Sequence, residues 1–226
     1  MAELTARDLC FAFGDRPPLL DGLNLTVRTG ETVVLAGENA SGKTTLLRLL
    51  AGMLPPLRGR VRINGTSLAE QRGRVGILFQ NPDHQMIAPT VEEEIALGLE
   101  LRGTRPEVMR PVVDGLLERF DLKPMRSRSP ESLSGGQKQR VALAAIMACR
   151  PLFLLFDEPD SYLDAPSRRD LLGAVEEIRG EVGMVWTTPN PRRRPRADRL
   201  LLLEGGQIRE LSESELTAHA QTGVSA

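Results

Sequence analysis

The chain is poor in aromatic residues, with one Trp, one Tyr and six Phe in 226 residues. That is too few to build a platform on which successive nucleic-acid bases could stack. It has two cysteines, Cys10 and Cys149, far apart and without metal-ligand spacing. With no secretory leader at the N-terminus, they fit a reducing cytoplasm. No apolar run approaches the roughly 20 residues needed to cross a bilayer. The longest, at 32–37 and 152–156, are strand-sized, so any service to a membrane is expected from outside it. Neither sign of charge dominates, since 29 basic side chains face 30 acidic ones. This excludes a protein that coats nucleic acid through bulk charge. What remains is a balanced chain long enough to bury a sizeable core, as one domain or as a core with a smaller subdomain.

Short β-rich segments fill the N-terminal third, at 4–13, 19–27 and 32–37. A glycine-rich loop follows, then TTLLRLLAGML (44–54), which has helical apolar spacing and is expected to stop at Pro55 and Pro56. GRVRINGTSL (59–68) alternates around Asn64-Gly65, a hairpin signal, and RVGILFQ (74–80) reads as a strand. From 81 to 150 the pattern turns helical, with stretches at 88–101, 105–120 and 134–149; Pro111 is expected to break or kink the second. Strands return at 152–156, 183–187 and 198–203, with a helix over 167–179 between the first two. This alternation predicts a parallel α/β sheet carrying a helical insertion.

Three motifs carry chemistry. GENASGKT (37–44) fits the phosphate-loop pattern of glycine, four residues, then Gly-Lys-Thr. Gly37 and Gly42 let the backbone curl so that successive N–H groups, through Glu38, Asn39, Ala40 and Ser41, point at a phosphate. Lys43 supplies a charge to the outer phosphates, the Thr44 hydroxyl is a Mg²⁺ ligand, and Thr45 continues the first turn of a helix whose dipole favours an anion. LFLLFDE (152–158) is an apolar strand ending in two carboxylates. Successive strand residues point opposite ways, so Asp157 and Glu158 must divide the work: one holds Mg²⁺, the other polarises an attacking water. In LSGGQKQRVALA (133–144), Ser134, Gly135 and Gly136 open a helix whose free N–H groups suit an anion. Alone, that stretch also reads as a Ser-capped packing helix.

In this order the three motifs resemble the nucleotide-binding subunit of an ABC transporter over nearly the whole chain. The resemblance implies a RecA-like P-loop core with an antiparallel β edge (1–80 and 151–226) and an inserted helical subdomain (81–150), forming one ABC ATPase domain. It places Phe13 against adenine, and gives Gln80 the role of a glutamine that touches Mg²⁺ and relays to membrane subunits. It implies that ATP and Mg²⁺ are bound between two such subunits. Ser134, Gly135, Gly136 and Gln137 of one would then close over the phosphate loop of the other, with 161–164 (SYLD) running across the dimer. FQNPDHQMIAPTVEEEIALG (79–98) is similar to the ATPases of energy-coupling-factor (ECF) transporters, importers of vitamins and transition metals. There, residues near 80–98 would dock on a transmembrane scaffold subunit, with a substrate-binding membrane subunit engaged indirectly. The expected place is the cytoplasmic face of the membrane, as a peripheral subunit, with no nucleic-acid partner. His84, in this segment, reads as a contact or surface residue rather than a metal ligand.

One departure stands out. The resemblance leads one to expect a histidine at the end of the strand at 183–187, where the chain reads MVWTTPN (184–190). Thr188 or Pro189 occupies that position, and the only histidines, His84 and His219, lie far off in sequence. A threonine hydroxyl reaches a phosphate oxygen but carries no positive charge near pH 7. Hydrolysis should therefore suffer more than binding. A heterodimer with an unlike ATPase is expected, in which this chain's own site is slow; a homodimer in which Thr188 suffices is the alternative. A soluble non-transport ABC ATPase and an ATP-binding regulatory subunit with little turnover are the other readings. The basic tract PRRRPR (191–196) reads as a solvated loop. The chain, ending soon after the helix-like ELSESELTAH (210–219), is expected to lack the further dimerisation region common in ECF ATPases.

Overall fold

The computed structural model describes residues 1–192, 194–212 and 215. His219, Arg193 and most of the stretch 210–219 lie outside the described residues. The chain divides into two compact units, one of Met1–Val75, Leu152–Glu158 and Ile178–Ala226, the other of Gly76–Pro151 and Pro159–Glu177.

The first unit holds two sheets. In one, the order is β2-β1-β4-β5, built from β1 (Glu3–Phe11), β2 (Leu20–Arg28), β4 (Arg58–Ile63) and β5 (Thr66–Ser67). Burial alternates along β1 and β2: Leu4, Ala6, Leu23, Leu25 and Val27 face inward while Thr5, Arg7, Asn24 and Arg28 do not, the period-two signature of a half-solvated antiparallel sheet. Asn64 and Gly65, at φ 49° and 79°, turn β4 into β5, as the Asn-Gly pair predicts.

The other sheet is mixed. Within this unit its order runs β10-β9-β3-β8-β7, where β3 is Thr32–Ala36, β7 Phe153–Phe156, β8 Gly183–Thr188, β9 Arg199–Glu204 and β10 Gln207–Glu210. β3 is parallel to β8 and β9, β7 is parallel to β8, and β10 is antiparallel to β9. Every residue of β3, β7 and β8 is buried, which is why these strands read as unbroken apolar runs. Phe156 and Trp186, paired in register, stack at 5.1 Å in this core.

After β3 comes α1 (Lys43–Leu50). It ends earlier than the prolines suggest: the N–H groups of Gly52 and Met53 donate to the carbonyls of Leu49 and Arg48 at 3.0 and 2.8 Å. This closes the helix end with two crossed bonds, so Pro55 and Pro56 merely follow a finished helix.

In the second unit, into which the chain passes along β6 (Val75–Leu78), lie α2 (Val91–Glu100), α3 (Pro106–Arg119), α4 (Gly135–Ala148) and α5 (Ala165–Glu177). Thr90 caps α2, accepting the Glu93 N–H at 3.3 Å, and three glutamates in the first turn complement the helix dipole. α3 runs through Pro111 without interruption. With the proline in its second turn, the helix forgoes one backbone bond to the Glu107 carbonyl.

β1 and β4 are irregular between Arg7 and Cys10. There Asp8 takes φ 49° and Gly59 φ 86°, and a Cβ on Gly59 would lie 2.2 Å from the Asp8 carbonyl oxygen. Gly59→Ala is therefore expected to lower stability by about 2–3 kcal/mol, read by urea denaturation. A loss under half a kcal/mol would show that the bulge relaxes freely.

Candidate nucleotide site

Parallel register gathers one edge of the mixed sheet. Ala36, the last residue of β3, pairs with Thr188, and Phe156, the last of β7, pairs with Trp186. The loop 37–42, the end of β8 and the carboxylates after β7 therefore emerge together at the carboxyl ends of the strands, where open α/β sheets bind ligands.

At the centre is Lys43, only 4% exposed. Its ammonium donates to the carbonyls of Gly37 at 2.8 Å and Glu38 at 2.7 Å, and meets Glu158 Oε1 at 3.1 Å. Three oxygens satisfy the three protons of a buried amine. Thr44 donates from Oγ1 to Asp157 Oδ1 at 2.8 Å. The two carboxylates thus take separate partners, Asp157 the threonine and Glu158 the lysine, as alternation after a strand requires.

Glu158 has φ 45°, the left-handed region, uncommon for a residue with a side chain. Its N–H donates to Thr187 Oγ1 at 3.0 Å, and the same hydroxyl donates to the Phe156 carbonyl at 3.0 Å. Thr187 thus clamps the turn that carries the carboxylates. Thr188 is 1% exposed. Its Oγ1 donates to the Asn190 carbonyl and accepts the Asn190 N–H, each at 3.0 Å. Both hydroxyls of MVWTTPN are engaged by their own backbone surroundings.

Burial pushes the Asp157 carboxyl above its ordinary range; the Thr44 hydrogen bond works against this, and the charge of Glu158 adds to it.

The geometry suits Mg²⁺ and a polyphosphate. Thr44 and Asp157 offer two hard oxygens side by side. Ser41 Oγ is buried without a partner. A Cβ on Gly37 would lie 2.8 Å from the Leu203 carbonyl oxygen, so only glycine lets the loop turn this closely. Phe13 is half exposed and stands edge-on to Phe11 at 4.9 Å.

The second unit carries the remaining motif residues. Ser134 and Gln137 form a capping box, with the Gln137 side chain accepting the Ser134 N–H at 2.9 Å and Ser134 Oγ accepting the Gln137 N–H at 3.3 Å. A Cβ on Gly136 would fall 2.6 Å from that of Ser167, so glycine there allows α4 to approach α5. Three further residues hold the segment around Gln80. Gln139, fully buried, donates to the carbonyls of Phe79 and Gln80 at 3.2 and 3.3 Å. Gln85 accepts the Phe79 N–H at 2.8 Å and donates to the Ile77 carbonyl at 2.9 Å. Glu94, buried, accepts the N–H groups of Ile87 and Ala88 at 2.9 and 2.8 Å. Gln85 closes the FQNPDHQ stretch (79–85) that carries the ECF resemblance. Gln139 and Glu94 follow no motif spacing, and a polar residue on the apolar stripe of a helix is their only sequence trace.

A family model described as "ABC transporter" matches residues 20–161. The chain belongs to the ABC transporter family. Among curated relatives, the energy-coupling factor transporter ATP-binding protein EcfA1 of Lacticaseibacillus paracasei is 40% identical over 209 residues, covering 88% of this chain and 75% of that protein. EcfA of Syntrophomonas wolfei is 35% identical over 221 residues, covering 94% and 81%. The solved structure of cbiO1 from Clostridium perfringens, described as part of the ABC transporter complex cbiONQ, matches with a TM-score of 0.83 at 25% identity, covering 97% of this chain and 92% of that one. The chain is thus an ATPase of the ABC family, with the RecA-like P-loop fold, and groups with the ATP-binding proteins of ECF transporters. Among the described residues no helix is long and apolar enough to cross a membrane.

A carboxyl held above its ordinary value binds its proton more tightly in the folded chain than in the unfolded one. Stability of the nucleotide-free, metal-free chain therefore falls as pH rises from the unfolded value of about 3.9 through the folded one. Asp157→Asn removes this dependence. Thermal melts in EDTA should place the variant above the wild type at pH 7, with the gap closing toward pH 4. A variant less stable than the wild type at pH 7 would contradict it.

Proposed function

We propose that this chain is the Mg-ATP-driven engine of an ECF-type importer of a small nutrient, a vitamin or a transition-metal ion, and that its own nucleotide site turns over slowly. It works at the cytoplasmic face of the membrane as a peripheral subunit, paired with an unlike ATPase. The observation that carries the slow site is Thr188, whose buried hydroxyl already serves the Asn190 backbone.

The phosphates are bound by the amides of Gly37, Glu38, Asn39, Ala40, Ser41, Gly42, Lys43, Thr44 and Thr45, and by the Lys43 ammonium. Every phosphate contact of Lys43 replaces a contact to Gly37, Glu38 or Glu158, so binding loosens the carboxylate that must then accept a proton from water. Thr44 and Asp157 would hold Mg²⁺, which would supply positive charge against the phosphates; the role of Gln80 toward Mg²⁺ rests on the family resemblance alone. Phe13 stacks on the adenine. Glu158 is the general base, its backbone set by Thr187. The histidine that would steady the reacting phosphate has no counterpart, since Thr188 has neither charge nor a free proton to give. A missing donor of this kind costs about a hundredfold or more in rate. Ser134, Gly135, Gly136 and Gln137 present the N-terminus of α4 to the partner's nucleotide, and residues near 80–98 meet the transmembrane scaffold, through which the substrate-binding subunit is reached. The braces from Gln139, Gln85 and Glu94 support this role, because a rigid segment transmits displacement.

The test is phosphate release by the purified chain, alone and mixed with the ATPase encoded nearest to it, with Glu158→Gln and Lys43→Ala in each case. The chain alone should be nearly silent, and the mixture should stay active when Glu158→Gln is introduced in this chain. Rapid turnover by the chain alone, abolished by Glu158→Gln, would show that the threonines suffice.

A further inference from the structure

The outward face of the β2-β1-β4-β5 sheet carries a row of arginines that no part of the nucleotide chemistry uses. Arg60 and Arg62 alternate with inward residues on β4, and Arg7 does so on β1. All three are exposed. In the antiparallel register Arg7 lies directly opposite Arg60, and Thr5 opposite Arg62. The Cα atoms of such pairs stand about 5 Å apart, with side chains on the same face, and like charges there destabilise the sheet.

The neighbouring charges do not relieve this. At one end Arg28 pairs with Glu3 at 2.9 Å, and at the other Arg58 pairs with Asp8 and Asp21, each at 3.1 Å. The acids of this face are spent on those two arginines. Among the described residues, no carboxylate comes within 4.0 Å of the guanidinium of Arg7, Arg60 or Arg62. The one hydrogen bond from the three side chains goes to a backbone carbonyl, from Arg62 Nη1 to Gly65 at 2.7 Å. The remaining outward residues are Thr5, Asn24, Thr26 and Ser67.

We propose that this sheet face is a binding surface for anionic lipid head groups. Exposed guanidiniums sharing one sheet face without internal counter-charge match a surface of phosphates, which guanidinium grips bidentately. The face offers no aromatic side chain on which a base could stack, and no apolar centre of the kind a protein partner needs. Attraction by charge alone is how juxtamembrane basic clusters engage anionic leaflets. With a net charge of −1 over the chain, the attraction is local to this face and sets which side of the subunit turns toward the bilayer. The inference goes beyond the catalytic reading above and stands independently of Thr188.

The test is co-sedimentation of the purified chain with vesicles of phosphatidylcholine, with and without phosphatidylglycerol. The wild type should partition to the phosphatidylglycerol vesicles only, and lose that binding in high salt. The combined variant Arg7→Gln, Arg60→Gln, Arg62→Gln should bind roughly a hundredfold more weakly. Its ATPase rate should be unchanged and its melting temperature at low salt no lower than the wild type's. If the combined variant fails to fold, Arg60→Gln and Arg62→Gln singly should each weaken partition by roughly fivefold. Unchanged binding by these variants would overturn the proposal, as would loss of binding in Arg192→Gln, Arg194→Gln, Arg196→Gln instead. Equal binding to phosphatidylcholine, or arginine-dependent binding of duplex DNA with none to vesicles, would also overturn it.

Discussion

A buried ammonium has to be surrounded by oxygen, and Lys43 shows how much of the first unit follows from that need. Two of its three oxygens are carbonyls of its own loop, so the loop must curl tightly, and Gly37 permits the close turn. The third belongs to Glu158, which must therefore leave the end of β7 in a left-handed conformation. That conformation is held by Thr187 from the neighbouring strand. Breaking such a pair by removing one partner costs about 3–5 kcal/mol. Nucleotide binding escapes that cost by supplying phosphate oxygens in place of the protein's own. The same few atoms thus stabilise the ligand-free state and define what must be displaced.

The end of β8 takes a different meaning in this light. MVWTTPN carries no acid or base because its threonines complete the hydrogen bonding of their surroundings. Thr187 braces the carboxylate turn, and Thr188 closes a local turn with Asn190. On the proposed reading, a chain that binds ATP without a charged group here keeps the scaffold of the site and makes one contact fewer to the reacting phosphate. The capping box at Ser134 and Gln137 is intact, and on the same proposal the helix N-terminus it opens serves a partner's nucleotide. That asymmetry fits a pair of unlike subunits better than a pair of equal ones.

The phosphate loop, the paired acids and the helix at 134 were legible in the sequence because each is a local device, a turn or strand end whose residues are adjacent. The three central strands were legible as unbroken apolar runs. What could not be read depends on pairing across distance. Gln139 serves carbonyls some 60 residues away, and Thr187 serves a residue on another strand. The opposition of Arg7 and Arg60 exists only once β1 and β4 are in register. The early end of α1 is hidden in the sequence because Pro55 and Pro56 are the louder signal, while the backbone has already closed on Arg48 and Leu49.

The most direct measurement is a single-turnover assay in the mixed dimer, with the phosphate-loop lysine of the partner ATPase replaced so that only this chain's loop binds ATP productively. Bound ATP should persist and hydrolyse about a hundredfold more slowly than in the mirror dimer, where Lys43→Ala leaves only the partner's loop. Equal rates in the two dimers would mean that Thr188 does not mark a weakened site.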